Sequence, residues 1–165
     1  MVSEPAPTRQ RGFIPWSWVD RQLRAIRSIW VSTTRPDGRP HAVPVWLTWD
    51  GRALYFATGE RAQKARNLQH EPWVVIHAGD GDDVIILEGS AEAVTDDLEL
   101  RQVDAARAEK YVSQRTGARD TILTPGTIVY RVAVGRVMAW QYGNMAGRTD
   151  WLFEGVTEGA SGVGE

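Results

Sequence analysis

Cysteine is absent from the 165 residues, and with it go disulfide staples, thiolate nucleophiles and cysteine-ligated zinc or iron–sulfur centres. Long apolar runs are missing as well. Nothing approaches the roughly 20 consecutive apolar residues of a membrane helix, and no apolar h-region marks the N-terminus for export. The expectation is a cytoplasmic protein with no membrane partner. Charge of one sign is also lacking: 19 basic against 21 acidic side chains leave a net charge of -2, which gives no general attraction to nucleic acid. The sequence has no Gly-x-Ser-x-Gly elbow, Walker loop or Gly-x-Gly-x-x-Gly, so esterase, nucleotide hydrolase and Rossmann dehydrogenase lack their mechanical parts. Histidine is sparse. His41, His70 and His77 share no metal-ligand spacing with one another or with a carboxylate. Asp80, Asp82 and Asp83 lack the glycine and closing Glu of a calcium loop, so a solvated turn and no metal are expected there.

What is present has ordinary globular composition, 42% apolar and 24% charged, in a length where two separate cores would each be marginal. Residues 1–11 read as a flexible arm, 12–154 as one domain and 155–165 as a flexible tail. Val19, Leu23 and Ile26 predict a helix over 17–27 with Ser17 as its cap. β-rich runs over 29–34 and 41–49 flank a Pro36-Asp37-Gly38 turn, and a third strand is expected over 53–58. Ala62, Ala65 and Leu68 predict a helix over 60–69. Strands follow over 73–78 and 84–94, the second with Ile85, Leu87, Gly89, Ala91 and Ala93 on one face. Asp96 and Asp97 open a helix reaching about 112, and β-runs over 127–142 and 151–153 end the pattern. The fold class is mainly β with inserted helices, about six antiparallel strands able to curl into a barrel.

Three features point beyond packing. Pro44 interrupts the strong strand His41-Ala42-Val43-Pro44-Val45-Trp46, where a missing N–H would break a sheet ladder, so one edge of that strand faces something other than a neighbour. A bulge or a plain edge strand would also accommodate it. Thr58, Gly59, Arg61, Lys64 and Arg66 collect where a strand gives way to a helix, a junction suited to an anion, although a basic helix face is often merely solvated. Eight tryptophans imply either an aromatic core or surfaces that stack on a flat ligand, with Trp46, Trp140, Tyr142 and Trp151 as candidates.

The order of these pieces, above all Asp37–Trp46 (DGRPHAVPVW) followed by Lys64–Leu68 (KARNL), resembles the split β-barrel flavin and deazaflavin oxidoreductases. These are the pyridoxamine 5'-phosphate oxidase-like proteins, and within them the likeness is to the actinobacterial branch of coenzyme F-420-dependent reductases. It spans about 29–96. The resemblance implies a homodimer with the cofactor, F-420 or alternatively FMN, in a cleft between subunits. By the same carry-over His41, Val43, Pro44, Val45 and Trp46 line the cofactor, Ala57 and Thr58 close the pocket, and Lys64 neutralises its phosphate. Relatives show Ser-Arg-Lys where this chain has Ala62-Gln63-Lys64, so either Arg61 or Arg66 compensates or phosphate affinity is reduced. They also finish on a Thr-Arg-Trp-like motif where this chain has Thr149-Asp150-Trp151, and a carboxylate there would repel an anionic tail.

The implied activity is hydride transfer from reduced F-420 to an unsaturated small organic substrate. An FMN-binding oxidase or reductase on the same scaffold, and a non-catalytic binder of a cofactor or another planar molecule, are the alternatives. No obligatory acid–base residue is visible; His41 and Tyr142 are weak candidates for a proton donor.

Overall fold

The computed structural model describes residues 7–143 and 147–153; the rest of the arm and the 155–165 tail lie outside the described residues. Nine strands and three helices follow in the order β1 (Arg9–Arg11), α1 (Trp16–Ala25), β2 (Ser28–Thr34), β3 (Pro40–Trp46), β4 (Thr48–Trp49), β5 (Leu54–Gly59), α2 (Gln63–His70), β6 (Trp73–Gly79), β7 (Val84–Ala93), α3 (Asp97–Lys110), β8 (Thr127–Trp140) and β9 (Thr149–Leu152). All pairings are antiparallel. The sheet order is β1-β9-β8-β7-β6-β2-β3, with β5 joined to β8 and β4 to β5.

Two strands beyond the expected β-runs come from specific local causes. The run over 41–49 divides at Leu47, because the Tyr111 hydroxyl donates to the Leu47 carbonyl at 2.5 Å and to the Arg27 carbonyl at 2.8 Å. That pin lets the chain change partner from β2 to β5. Arg9–Arg11, read as part of a loose arm, pairs residue for residue with Asp150–Leu152. The last strand therefore starts at Thr149 and is covered on both edges, by β1 and β8.

Two helix starts also differ from the spacing. Pro15 occupies the cap of α1 in an extended conformation, and Trp18 N–H closes the first turn on its carbonyl at 2.9 Å, so the Ser17 hydroxyl is not the cap. Residues 60–62 remain outside α2 because Glu60 N–H prolongs the β5·β8 ladder onto the Gly126 carbonyl (2.8 Å) and Ala62 N–H turns back to Gly59 (3.0 Å). The expected acidic start of α3 is present: the Asp96 carboxylate accepts the Glu99 N–H at 2.7 Å.

The long β8 pairs with both β5 and β7 through its first half and with β7 and β9 through its second. A bulge makes this possible: between Glu88 and Gly89 the register skips Gly135, whose carbonyl takes the Phe153 N–H instead. A Cβ at Gly89 would lie 2.3 Å from the Ala133 carbonyl oxygen, so only glycine permits the strands to meet there. Val31, Leu54, Phe56, Ile76, Leu87, Val132 and Val137 fill the interior. Trp16 sits edge-on to Trp49, Trp151 and Phe153 at 6.4, 5.7 and 5.2 Å. Much of the tryptophan excess is core. A second cluster, with Tyr55, Val103, Ile122 and Val129, lies beneath α3.

Candidate functional site

Among the described residues, β3 has a sheet partner on one edge only, so the barrel stays open along a seam between β3 and β5. Hydrogen bonds at the two ends of the β2·β3 pair decide which backbone groups face that seam. Arg35 N–H donates to the Arg39 carbonyl (2.9 Å) and Leu47 N–H to the Arg27 carbonyl (3.1 Å), in the same register that places Val31 opposite Val43. Odd-numbered residues of β3 therefore bond β2, and the polar groups of Pro40, Ala42, Pro44 and Trp46 face outward. Proline removes two of those four donors. What is left is the N–H of Ala42 and of Trp46 beside four carbonyls, an edge that no strand can zip onto. The Glu60–Gly126 bond likewise directs even-numbered residues of β5 to β8, so Ala57 presents its backbone to the seam.

Lys64, in the first turn of α2, is half-buried, and among the described residues no hydrogen bond or ion pair engages its ammonium. Burial alone holds its pKa below the usual lysine value. The cap of α2 is Ala62, which has no side chain to satisfy the first N–H groups. His41, half-buried on β3, is held below its ordinary pKa first by burial and then by the charges of Arg35 and Lys64. The partnerless Lys64, the uncapped helix start and the nearby charge of Arg35 make this end of the seam a place where an anion would be stabilised.

The departure at Ala62-Gln63 has a structural reason. Gln63 Nε2 donates to Asn67 Oδ1 at 2.8 Å, and the buried Asn67 donates through Nδ2 to Thr33 Oγ1 at 2.8 Å. Thr33 Oγ1 also lies 3.4 Å from His41 Nδ1. Arg66 donates to Gln63 Oε1 at 2.9 Å, while Arg61 is almost wholly exposed beside Glu60 at 3.9 Å. Asn67, held by Gln63 within α2, thus ties the helix to Thr33 on β2, which in turn contacts His41 on β3. Sequence reading missed this relay. Its one visible signal was a polar Asn67 next to Leu68 on the inner stripe of the helix.

The other expected residues divide by face. Val43 and Val45 point inward with His41, and Ala42, Pro44 and Trp46 outward. Trp46 is not a free stacking surface, because its ring lies on Tyr111 at 5.1 Å with Arg27 at 4.4 Å, so its backbone is what it offers the seam. Ala57 packs its side chain beneath α3, and Thr58 is buried toward the interior. Trp151 is fully buried core, Trp140 is half-buried and Tyr142 is exposed. Trp30, which sequence reading passed over, is 53% exposed and sits directly between Pro44 and His77 in the sheet register. Among the described residues no three His, Asp or Glu side chains converge as metal ligands. The Asp80 carboxylate accepts the N–H groups of Asp82 and Asp83 at 3.0 and 3.1 Å, as an ordinary turn does.

An open antiparallel barrel with an unpaired seam between β3 and β5 defines the class as a split barrel. The chain belongs to the pyridoxamine 5'-phosphate oxidase family, whose model matches residues 19–141. Solved structures share the fold. A conserved hypothetical protein, Rv2991 from Mycobacterium tuberculosis, is 24% identical over 93% of this chain and 99% of its own, with a TM-score of 0.68. An FMN binding, pyridoxamine 5'-phosphate oxidase-related protein from Nostoc punctiforme is 18% identical over 86% and 92%, with a TM-score of 0.59. An F-420 reductase is 21% identical over 72% and 94%, with a TM-score of 0.54. No curated protein matches the sequence. At these identities the likeness is one of architecture. Among the described residues no helix is long and apolar enough to cross a membrane.

Proposed function

We propose that this chain is a cytoplasmic oxidoreductase that holds a phosphorylated flavin-type cofactor in the β3–β5 seam and, with F-420 as that cofactor, reduces an unsaturated small organic substrate. The observation that carries the reading is Lys64, a half-buried ammonium with no counter-charge among the described residues. A phosphate on Lys64 and the N–H groups of the first turn of α2 offsets the burial of that charge. The N–H groups of Ala42 and Trp46 and the adjoining carbonyls offer fixed hydrogen-bonding positions to the edge of a planar ring. When bound, the cofactor supplies the hydride chemistry.

The chain's own part is to bind, orient and exclude water. Burial and the charges of Arg35 and Lys64 disfavour the protonated form of His41, and Tyr142 is 79% exposed, so neither is assigned the proton, which solvent can deliver. The reading includes a homodimer. The outer sheet face runs Pro44, Trp30, His77, Ile86 and Met138 in one register row, and a second copy is the occupant proposed for the exposed Trp30 end of it. Mass in solution tests that point.

Cofactor identity is tested by expression in a host that makes both F-420 and FMN, followed by the absorption spectrum and mass of the molecule that copurifies. Copurified F-420, and oxidation of reduced F-420 by an enone, nitroaromatic or quinone, is the expected result. Tight FMN binding with no F-420 binding sinks the deazaflavin reading and leaves the FMN oxidoreductase, whose support is the FMN-binding relative of the same fold.

A further inference from the structure

We propose a second anion site, on the outer face of the β1-β9-β8 end of the sheet, that takes a ligand carrying a diphosphate or a similarly compact group with at least two negative charges. Arg9, Arg11, Arg136 and Arg148 line a cavity of about 400 Å³ with Asp150 and Leu152, a volume within the ~300–1,000 Å³ of small-molecule sites. The register explains how these residues meet. Arg9 lies opposite Leu152, which lies opposite Arg136, and Arg11 lies opposite Asp150, which lies opposite Met138. Alternate residues on each strand thus project to one side while Trp151 and Val137 project into the core.

The charges do not cancel. Asp150 Oδ1 accepts from Arg136 Nη2 at 2.7 Å and Arg148 Nη2 at 3.0 Å, and Oδ2 accepts from Arg148 Nε at 3.1 Å. Glu88 reaches Arg136 more loosely, at 3.7 Å. Burial raises the Asp150 pKa, but the two guanidiniums outweigh it and hold the carboxyl below its ordinary value. Asp150 is therefore fully ionised and spent on its own chain. It organises Arg136 and Arg148, and its charge is offset by theirs. Arg9 and Arg11 have no ion pair among the described residues, so two carboxylates face four guanidiniums and an excess of two positive charges borders the cavity.

Strand geometry sets the ligand class. Arg9 and Arg11 are two residues apart on one edge strand, roughly 7 Å along it, so two bidentate forks approach the cavity side by side. This spacing suits adjoining phosphoryl groups better than a single small anion. The site is separate from the seam within one chain. Ala57 on the seam lies opposite Val129 near the start of β8, whereas β9 pairs with that strand only from Arg136 onward, roughly 23 Å further along it at ~3.3 Å per residue.

The test uses the full chain and inorganic pyrophosphate, titrated calorimetrically at low ionic strength, with orthophosphate and succinate as smaller and softer probes. Pyrophosphate should bind best. Arg9→Gln with Arg11→Gln should weaken it by about tenfold or more, the scale of one lost charge-assisted contact, and an unchanged melting temperature identifies the loss as local because both side chains are exposed. In a Lys64→Ala background, which removes the seam's own cation, pyrophosphate binding should persist and remain sensitive to the double arginine variant, which separates this site from the seam. Absence of pyrophosphate binding, affinity indifferent to the double arginine variant, or loss of binding on Lys64→Ala each overturns the proposal.

Discussion

Replacing Lys64 by methionine separates two consequences that an ordinary destabilising substitution would couple. The ammonium is half-buried with no counter-charge among the described residues and its pKa is depressed by burial, so the ligand-free fold bears a desolvation cost that methionine removes at nearly constant volume. Stability of the ligand-free variant should be equal to or above that of the parent. Cofactor binding should move the other way. Loss of one hydrogen bond between charged groups costs about 1.5–3 kcal/mol, a weakening of roughly ten- to a hundredfold.

The pH dependence follows with a definite sign. A bound phosphate favours the ammonium, so affinity of the parent declines as pH rises through the depressed pKa of Lys64, and the methionine variant lacks that decline. Spectroscopic titration with F-420 and with FMN, alongside urea unfolding of the ligand-free proteins, measures both effects. Equal affinity of parent and variant for either cofactor would refute the reasoning and place the phosphate elsewhere.

Trp151→Ala should cost about 3–5 kcal/mol in urea unfolding, because Trp151 is wholly buried against Trp16. Trp151→Phe should cost much less, because the indole N–H it deletes is buried without an acceptor among the described residues. Lys110, which donates to the Leu23 carbonyl at 3.2 Å, is pushed down to about 8 by burial and then by Arg107. Above that value the folded state holds fewer protons than the unfolded one, so stability should rise from pH 8 toward 10. It should fall beyond that, where the buried Tyr55, Tyr111 and Tyr130, all raised by burial, remain protonated while the unfolded chain does not. Lys110→Gln should flatten the rise, and a rise that survives it would show that another group is responsible.

Much of the fold was legible because alternation reports burial directly. In β7, Ile85, Leu87, Gly89 and Ala91 are buried while their neighbours are not, as period two requires; Ala93 escapes because the strand runs past the edge of the core. Pro44 was legible as an open edge since a residue without an N–H cannot serve a ladder on both sides. The break at Leu47 was not legible, because its cause is a hydroxyl 64 residues away in the chain. The site was half visible for the same reason. Lys64 could be picked as a cation at a strand–helix junction, but its lack of a partner, the bracing of His41 through Thr33 and Asn67, and the commitment of Trp46 to Tyr111 are relations between distant segments.

By itself the order of residues determined the strand-rich character, the two prolines that keep one edge of β3 unpaired, the basic start of α2 and the exclusion of cysteine chemistry. These are properties of short stretches, where backbone donors, side-chain volume and periodicity act locally. Only the tertiary structure decided that the barrel stays open beside Lys64, that Arg9 and Arg11 are drawn onto the last strand, and that Asp150 is neutralised by Arg136 and Arg148. Whether a charge attracts or repels a ligand depends on what already surrounds it, and that surrounding is assembled by strand pairing between the two ends of the chain.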